Sequence, residues 1–106
     1  MESNQQSNSD DKETELVPVR KDNYRLEQLD DELLLYHPSE EKIVYLNQTG
    51  SLIWGLCDGN HNTEQIISLL SQAFPDAAEA IPSDVKTTLK IFKEAGCIEV
   101  KPKSIR

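Results

Sequence analysis

The sequence predicts an α+β domain: a three-stranded antiparallel sheet followed by a three-helix bundle, in the geometry of a winged helix-turn-helix. Three observations carry that expectation. Over residues 23–47 the apolar side chains recur with a period near two, interrupted twice by turn residues. Over residues 47–96 the period lengthens to about 3.6, and helix-capping residues recur at its interruptions. Strands and helices are also segregated along the chain, whereas a parallel sheet needs them to alternate.

The first strand is expected over residues 23–30 (NYRLEQLD), where Tyr24, Leu26 and Gln28 alternate with Arg25, Glu27 and Leu29. Asp30-Asp31 turns the chain. Residues 32–37 (ELLLYH) are a near-continuous apolar run, as expected of a central strand. Pro38-Ser39-Glu40-Glu41 is turn chemistry, and residues 42–47 (KIVYLN), β-branched and aromatic, read as the third strand. Asn47 or Thr49 can then cap a helix that runs to about Cys57, with Leu52, Ile53 and Leu56 facing inward. Asp58-Gly59-Asn60 stops it. Asn62 caps the second helix, and Gln65 at its third position completes a capping box. Ile66, Ile67, Leu69, Leu70 and Phe74 give that helix a broad apolar face, and Pro75 ends it. Ser83 is expected to cap a third helix from about Asp84 to Ala95, with Gly96 closing it. Residues 97–100 (CIEV) read as a short terminal strand or extended segment.

Three regions follow from composition. Residues 1–22 are rich in Ser, Asn, Gln and acidic side chains and are expected to be a disordered tail. Within them Leu16-Val17-Pro18-Val19 could add a short edge strand, with Pro18 limiting its pairing. Residues 23–100 form the domain, and residues 101–106 a flexible C-terminal tail. The N-terminus lacks the basic start and apolar stretch of a secretion signal, and no run approaches the roughly 20 apolar residues of a membrane span. A cytoplasmic monomer is expected. Cys57 and Cys97 are far apart and have no metal-ligand spacing, so buried, reduced thiols are expected.

Charge narrows the function classes. The formal net charge is −8, which argues against nucleic acid or an acidic membrane as partner. It is also polarised. Residues 26–85 carry one basic side chain, Lys42, against eleven acidic ones, while residues 86–106 carry six basic and two acidic. His37 and His61 have no partner at ligand or triad spacing, and the carboxylates are spread over turns and caps. Nothing in the residues calls for an enzyme, a cofactor or a metal.

The ordered combination Leu46-Asn47, Thr49-Gly50, Ile53-Trp54, Leu56, Asp58-Gly59, Thr63 with Glu64, Gln65 and Ile66, then Leu69-Leu70, Asp84-Val85, Phe92 and Gly96 resembles the PqqD family. The resemblance covers about residues 23–100. It implies a non-catalytic, winged-helix-like precursor-peptide recognition element, which binds the leader segment of a ribosomally made precursor peptide. It further implies that the leader adds as a strand to the edge of the third strand, in the cleft beside the third helix. The domain would then present the peptide to a modifying enzyme such as a radical SAM maturase, a cyclodehydratase or a leader peptidase.

The residues are compatible with that implied site. Lys42, Ile43, Val44, Tyr45 and Leu46 contain no proline that would block a free strand edge. Val44 and Leu46 should share one face and Ile43 and Tyr45 the other, with Leu46 toward the helices. On the third helix, Val85, Thr88, Leu89, Ile91, Phe92 and Ala95 fill one broad apolar arc. Lys86, Lys90 and Lys93 form a band beside that arc, on the side away from Ile91, and would suit an acidic peptide. Equally, lysines at this spacing are commonly a solvated face, and the other edge, with Thr87 and Ile91, could line the cleft instead. Trp54 and Phe92 read as core rather than ligand-binding. Two other readings remain beside leader binding. A winged-helix DNA binder could use the three lysines, although no arginine occurs between Tyr36 and Ser104 for bidentate base reading. A plain adaptor could dock an enzyme without reading any peptide.

Overall fold

The computed structural model describes residues 15–103, so the expected disorder of residues 1–14 and flexibility of residues 104–106 lie outside the described residues. The chain enters through β1 (Leu16–Arg20) and then forms β2 (Arg25–Leu29), β3 (Glu32–His37) and β4 (Lys42–Leu46). These last three make the expected antiparallel meander in the order β2-β3-β4. Its two hairpins close through Asp30 and Glu41, at φ of 55° and 56°. That left-handed conformation suits Asp, whose short polar side chain tolerates it, better than Glu. The register stacks Leu26, Leu35 and Val44 across the three strands. Leu35, at the centre, is fully buried in the core.

Three helices follow, α1 (Gln48–Leu56), α2 (Thr63–Ala73) and α3 (Ile81–Ala95), with a short 3₁₀ turn at Pro75–Ala77. Asn47 is the cap of α1, its side-chain oxygen accepting from the Gly50 N–H at 2.7 Å. Asn62 and Gln65 form the capping box of α2 in both directions. Gly96 ends α3 at φ 82°, where a side chain would be strained. The start of α3 departs from expectation. It begins at Ile81, and Ser83 lies inside its first turn instead of capping it. Pro82 is tolerated there because the first-turn N–H groups have no helical partner, and burial of Ile81 in the core holds the added turn. Leu52, Leu69 and Phe74 also depart, being exposed at one flank of their helices.

The ends of the domain move outward as well. Leu16–Arg20 lies inside the expected tail, yet it pairs antiparallel with β5 (Ile98–Pro102), Leu16 opposite Pro102 and Arg20 opposite Ile98. The backbone of Arg20 also donates to the Cys57 carbonyl at 2.9 Å, and the Gly59 N–H donates to the Pro18 carbonyl at 3.1 Å. Val17 is only 1% exposed, which makes β1 part of the packed domain. An aromatic chain links the layers. Tyr24 meets His37 edge-on at 4.8 Å between centroids and Trp54 at 6.3 Å, and Trp54 meets Phe92 at 5.6 Å. Trp54 and Phe92 are thus core residues. Among the described residues no helix is long and apolar enough to cross a membrane.

Candidate functional site

β4 pairs with β3 along one side, and among the described residues nothing pairs with its other side. Val44 and Leu46 pack against the core, while Ile43 and Tyr45 stand exposed on the opposite face of the sheet. No loop separates this strand from the helices, because Asn47, the residue after it, is already the cap of α1. The free edge therefore leads directly into the helical layer. Its N–H and C=O groups are open to an added strand.

α3 runs beside this edge. At one end, the Lys42 ammonium donates to the Ala95 carbonyl at 3.3 Å and pairs with the Glu40 carboxylate, also at 3.3 Å. A cation on the last carbonyls of α3 complements its dipole. The bond to Glu40, with smaller help from Tyr24, raises the pKa of Lys42. Tyr24 also donates to the Ala95 carbonyl, at 3.5 Å, and its own pKa is raised, first by burial and then by neighbouring Cys97. At the other end, Asn47 and Thr49 share a cavity of about 280 Å³ with Asp84, Thr87, Thr88 and Ile91. The α3 side of this cavity is its Thr87–Thr88–Ile91 flank. Ile91 is exposed beside it, although it is a large apolar side chain.

Of the site residues expected from sequence, Lys42, Ile43, Val44, Tyr45 and Leu46 form β4, with Ile43 and Tyr45 on its outer face, while Ile91 lines the cavity that holds Asn47 and Thr49. Lys86, Lys90 and Lys93 lie apart from both. Those three line a separate groove of about 420 Å³ on the opposite flank of α3, facing Leu16 and Pro18 of β1 and Ile98 and Val100 of β5. Helical angles show that the lysines and Ile91 occupy different flanks, but not which flank meets β4. Lys42 also differs from expectation in that its ammonium is already engaged at the end of α3.

Sequence reasoning missed two features. Asn47, Thr49 and Asp84 meet across the cleft only after folding, and no spacing announces it. On the outer face of the sheet, Leu29, Leu34, Tyr36, Ile43 and Tyr45 surround an apolar depression of about 410 Å³. The alternation of these residues did carry that signal, since Leu29, Ile43 and Tyr45 are exposed positions filled by apolar or aromatic side chains.

Of the remaining reactive groups, Cys97 adjoins Tyr24 and Lys42 at the end of α3. Cys57 and Cys97 are free and buried, and burial pushes the Cys57 thiol up to about 12. Burial raises Cys97 too, against the opposing effects of Tyr24 and Lys42. Asp58 pairs with His61 at 2.9 Å. Burial pushes its carboxyl up, but bonds from the Asn60 N–H and His61 outweigh that and leave its pKa lowered. Cys57 and Asp58 line a separate cavity of about 350 Å³ together with Arg20, Lys21 and Tyr24.

Comparison with known proteins bears on this geometry in three ways. No curated protein matches the chain. Among solved structures, the chain is similar to the protein in "TbiB1 in Complex with the TbiA(beta) Leader Peptide", with a TM-score of 0.61 and 21% identity, over 76% of this chain and 94% of that one. At that identity the likeness establishes a shared fold. The family described as Coenzyme PQQ synthesis protein D (PqqD) matches residues 32–98, from the start of β3 through the three helices to the first residue of β5. The chain therefore belongs to the PqqD family.

Proposed function

We propose that this protein binds the leader segment of a ribosomally made precursor peptide and presents it to a modifying enzyme, without performing chemistry of its own. The leader adds as a strand to the free edge of β4, in the cleft against the Thr88–Ile91 flank of α3. One observation carries the reading. An unpaired strand edge, continuous with the Asn47 cap of α1, ends at a cavity lined by the exposed Ile91 of α3. Strand addition supplies affinity through backbone bonds, and the cleft selects alternate side chains. In this reading the domain is a winged helix-turn-helix with the β2-β3-β4 meander as its wing. Membership of the PqqD family and the leader peptide bound in the solved relative support it. The enzyme served is a radical SAM maturase, a cyclodehydratase or a leader peptidase.

Magnitudes agree with reversible presentation. Burying three apolar leader side chains is worth about 1.5–3 kcal/mol each. Association and ordering cost roughly 4–15 kcal/mol, so backbone bonds supply the rest and micromolar or moderately tighter binding results. The test is a titration of the isotopically labelled protein with the leader segment of a precursor peptide, sought by reading the neighbouring genes. Amide signals of Ile43, Val44, Tyr45 and Leu46, together with Thr88 and Ile91, should shift as one set. Binding that leaves the β4 signals in place, or no binding at all, overturns the assignment. A DNA-binding reading draws no support from the placement of the α3 lysines, which face an apolar groove instead of an open surface.

A further inference from the structure

The groove on the far flank of α3 is left unused by a peptide on β4. Its floor is apolar: Leu16 and Pro18 from β1, Leu89 from α3, and Ile98 and Val100 from β5. Leu16 is 55% exposed and Val100 is 42% exposed, so this floor is open to solvent. Along one rim stand Lys86, Lys90 and Lys93. At i, i+4 and i+7 they form a line about 10 Å long. In a chain of net charge −8 with 11 basic side chains, three of those 11 stand over this one groove. Among the described residues, the ion pairs are Lys42 with Glu40 and His61 with Asp58, and neither involves the three lysines.

We propose that this groove is a second docking surface, taking an acidic segment with apolar side chains from a partner protein while β4 holds the leader. The apolar floor receives side chains, and the lysine line pairs with carboxylates spaced along the same segment. Charge complementarity selects the occupant. Lysines on one rim favour an anionic ligand, and the apolar floor disfavours a phosphate backbone, which would leave it unfilled. The absence of arginine along the whole helix removes the planar fork that phosphates favour. Because α3 separates the groove from β4, both can be filled at once, so one face can hold the peptide and the other its recipient. This two-ligand arrangement rests on the leader-binding reading, but the groove itself does not.

The test uses the labelled full chain and two synthetic probes, a peptide alternating Leu with Glu and its counterpart alternating Leu with Lys. The Leu–Glu probe should shift the amide signals of Leu89, Ile98 and Val100 and leave Ile43 and Tyr45 in place. The Leu–Lys probe should shift neither set. Replacing the exposed rim side chains together (Lys86→Gln, Lys90→Gln and Lys93→Gln) should weaken the Leu–Glu probe about tenfold, as expected for three rim charges. Leader binding at β4 should be unchanged in that variant. Equal shifts with both probes, or none at Leu89, Ile98 and Val100, overturn the groove and leave the leader reading standing. Three other occupants are separated by the same signals, and each would overturn the assignment to a partner. A second copy would shift them when the chain alone is concentrated. The chain's own N-terminal segment would shift them, without any probe, in the full-length Asp10→Asn/Asp11→Asn/Glu13→Gln variant. A duplex DNA would shift them in competition with the Leu–Glu probe.

Discussion

Proline substitutions at Val44 and Tyr45 distinguish an added strand from any other mode of peptide binding. In an antiparallel ladder, neighbouring residues aim their N–H groups to opposite sides. One of these two therefore donates to β3 and the other to the free edge of β4. Proline at either position removes one N–H. The hydrogen bond lost is worth about 0.5–1.5 kcal/mol, and the carbonyl left without a partner costs about 1–3 kcal/mol more. The total is about 1.5–4.5 kcal/mol, but it falls on a different equilibrium in each variant. With the ladder-facing residue replaced, it is subtracted from folding stability, seen as a lower denaturation midpoint. With the edge-facing residue replaced, it is subtracted from leader binding, which weakens by roughly 10-fold to 2,000-fold. Denaturant unfolding and calorimetric titration with the same leader peptide separate the two losses. If the variant that keeps wild-type stability also binds the leader within about threefold of wild type, strand addition at β4 is wrong.

Other outcomes follow from single contacts. Ile91→Glu alters an exposed side chain, so stability should stay within about 0.5 kcal/mol while leader affinity falls, and a matched thermal scan and titration check both. Asn47→Ala removes the acceptor of the Gly50 N–H and should cost about 1 kcal/mol, or roughly 4–8 °C in Tm, with Asn47→Asp recovering most of it. Phe92→Ala empties a fully buried site against Trp54 and should cost about 3–5 kcal/mol, measured by denaturant unfolding. The Cys57 thiol titrates at about 12 when folded against an ordinary 9.0, so the native state holds its proton longer than the unfolded chain does. Its contribution to stability is full below pH 9.0 and is lost as pH rises toward about 12. Unfolding free energies across that window should fall less steeply in Cys57→Ala than in wild type.

The strongest local signals were read well, because they arise from contacts a few residues apart. The Asn47 and Asn62 caps and the Gly96 stop are each closed by a bond within the same turn. The meander was legible for a related reason: its turns lie between apolar runs of matching length. Errors arose where a distant partner decides. The possible edge strand at Leu16-Val17-Pro18-Val19 does form, but counting it within a tail missed its pairing with residues 98–102 and its bonds to Cys57 and Gly59. Ser83 is a good cap by type, yet burial of Ile81 against the bundle extends α3 past it.

By itself the sequence determined the class of fold, the order of its elements, an unobstructed third strand and a helix with lysines on one flank and Ile91 on the other. Periodicity and capping contain that much, since both are properties of a chain and its near neighbours. Only the tertiary structure decided which flank of α3 meets β4. That choice depends on how the helix is rotated against a sheet some forty residues earlier in the chain, and on β1 and β5 closing over its other side. The result is one cleft beside Ile91 and a separate groove beneath Lys86, Lys90 and Lys93.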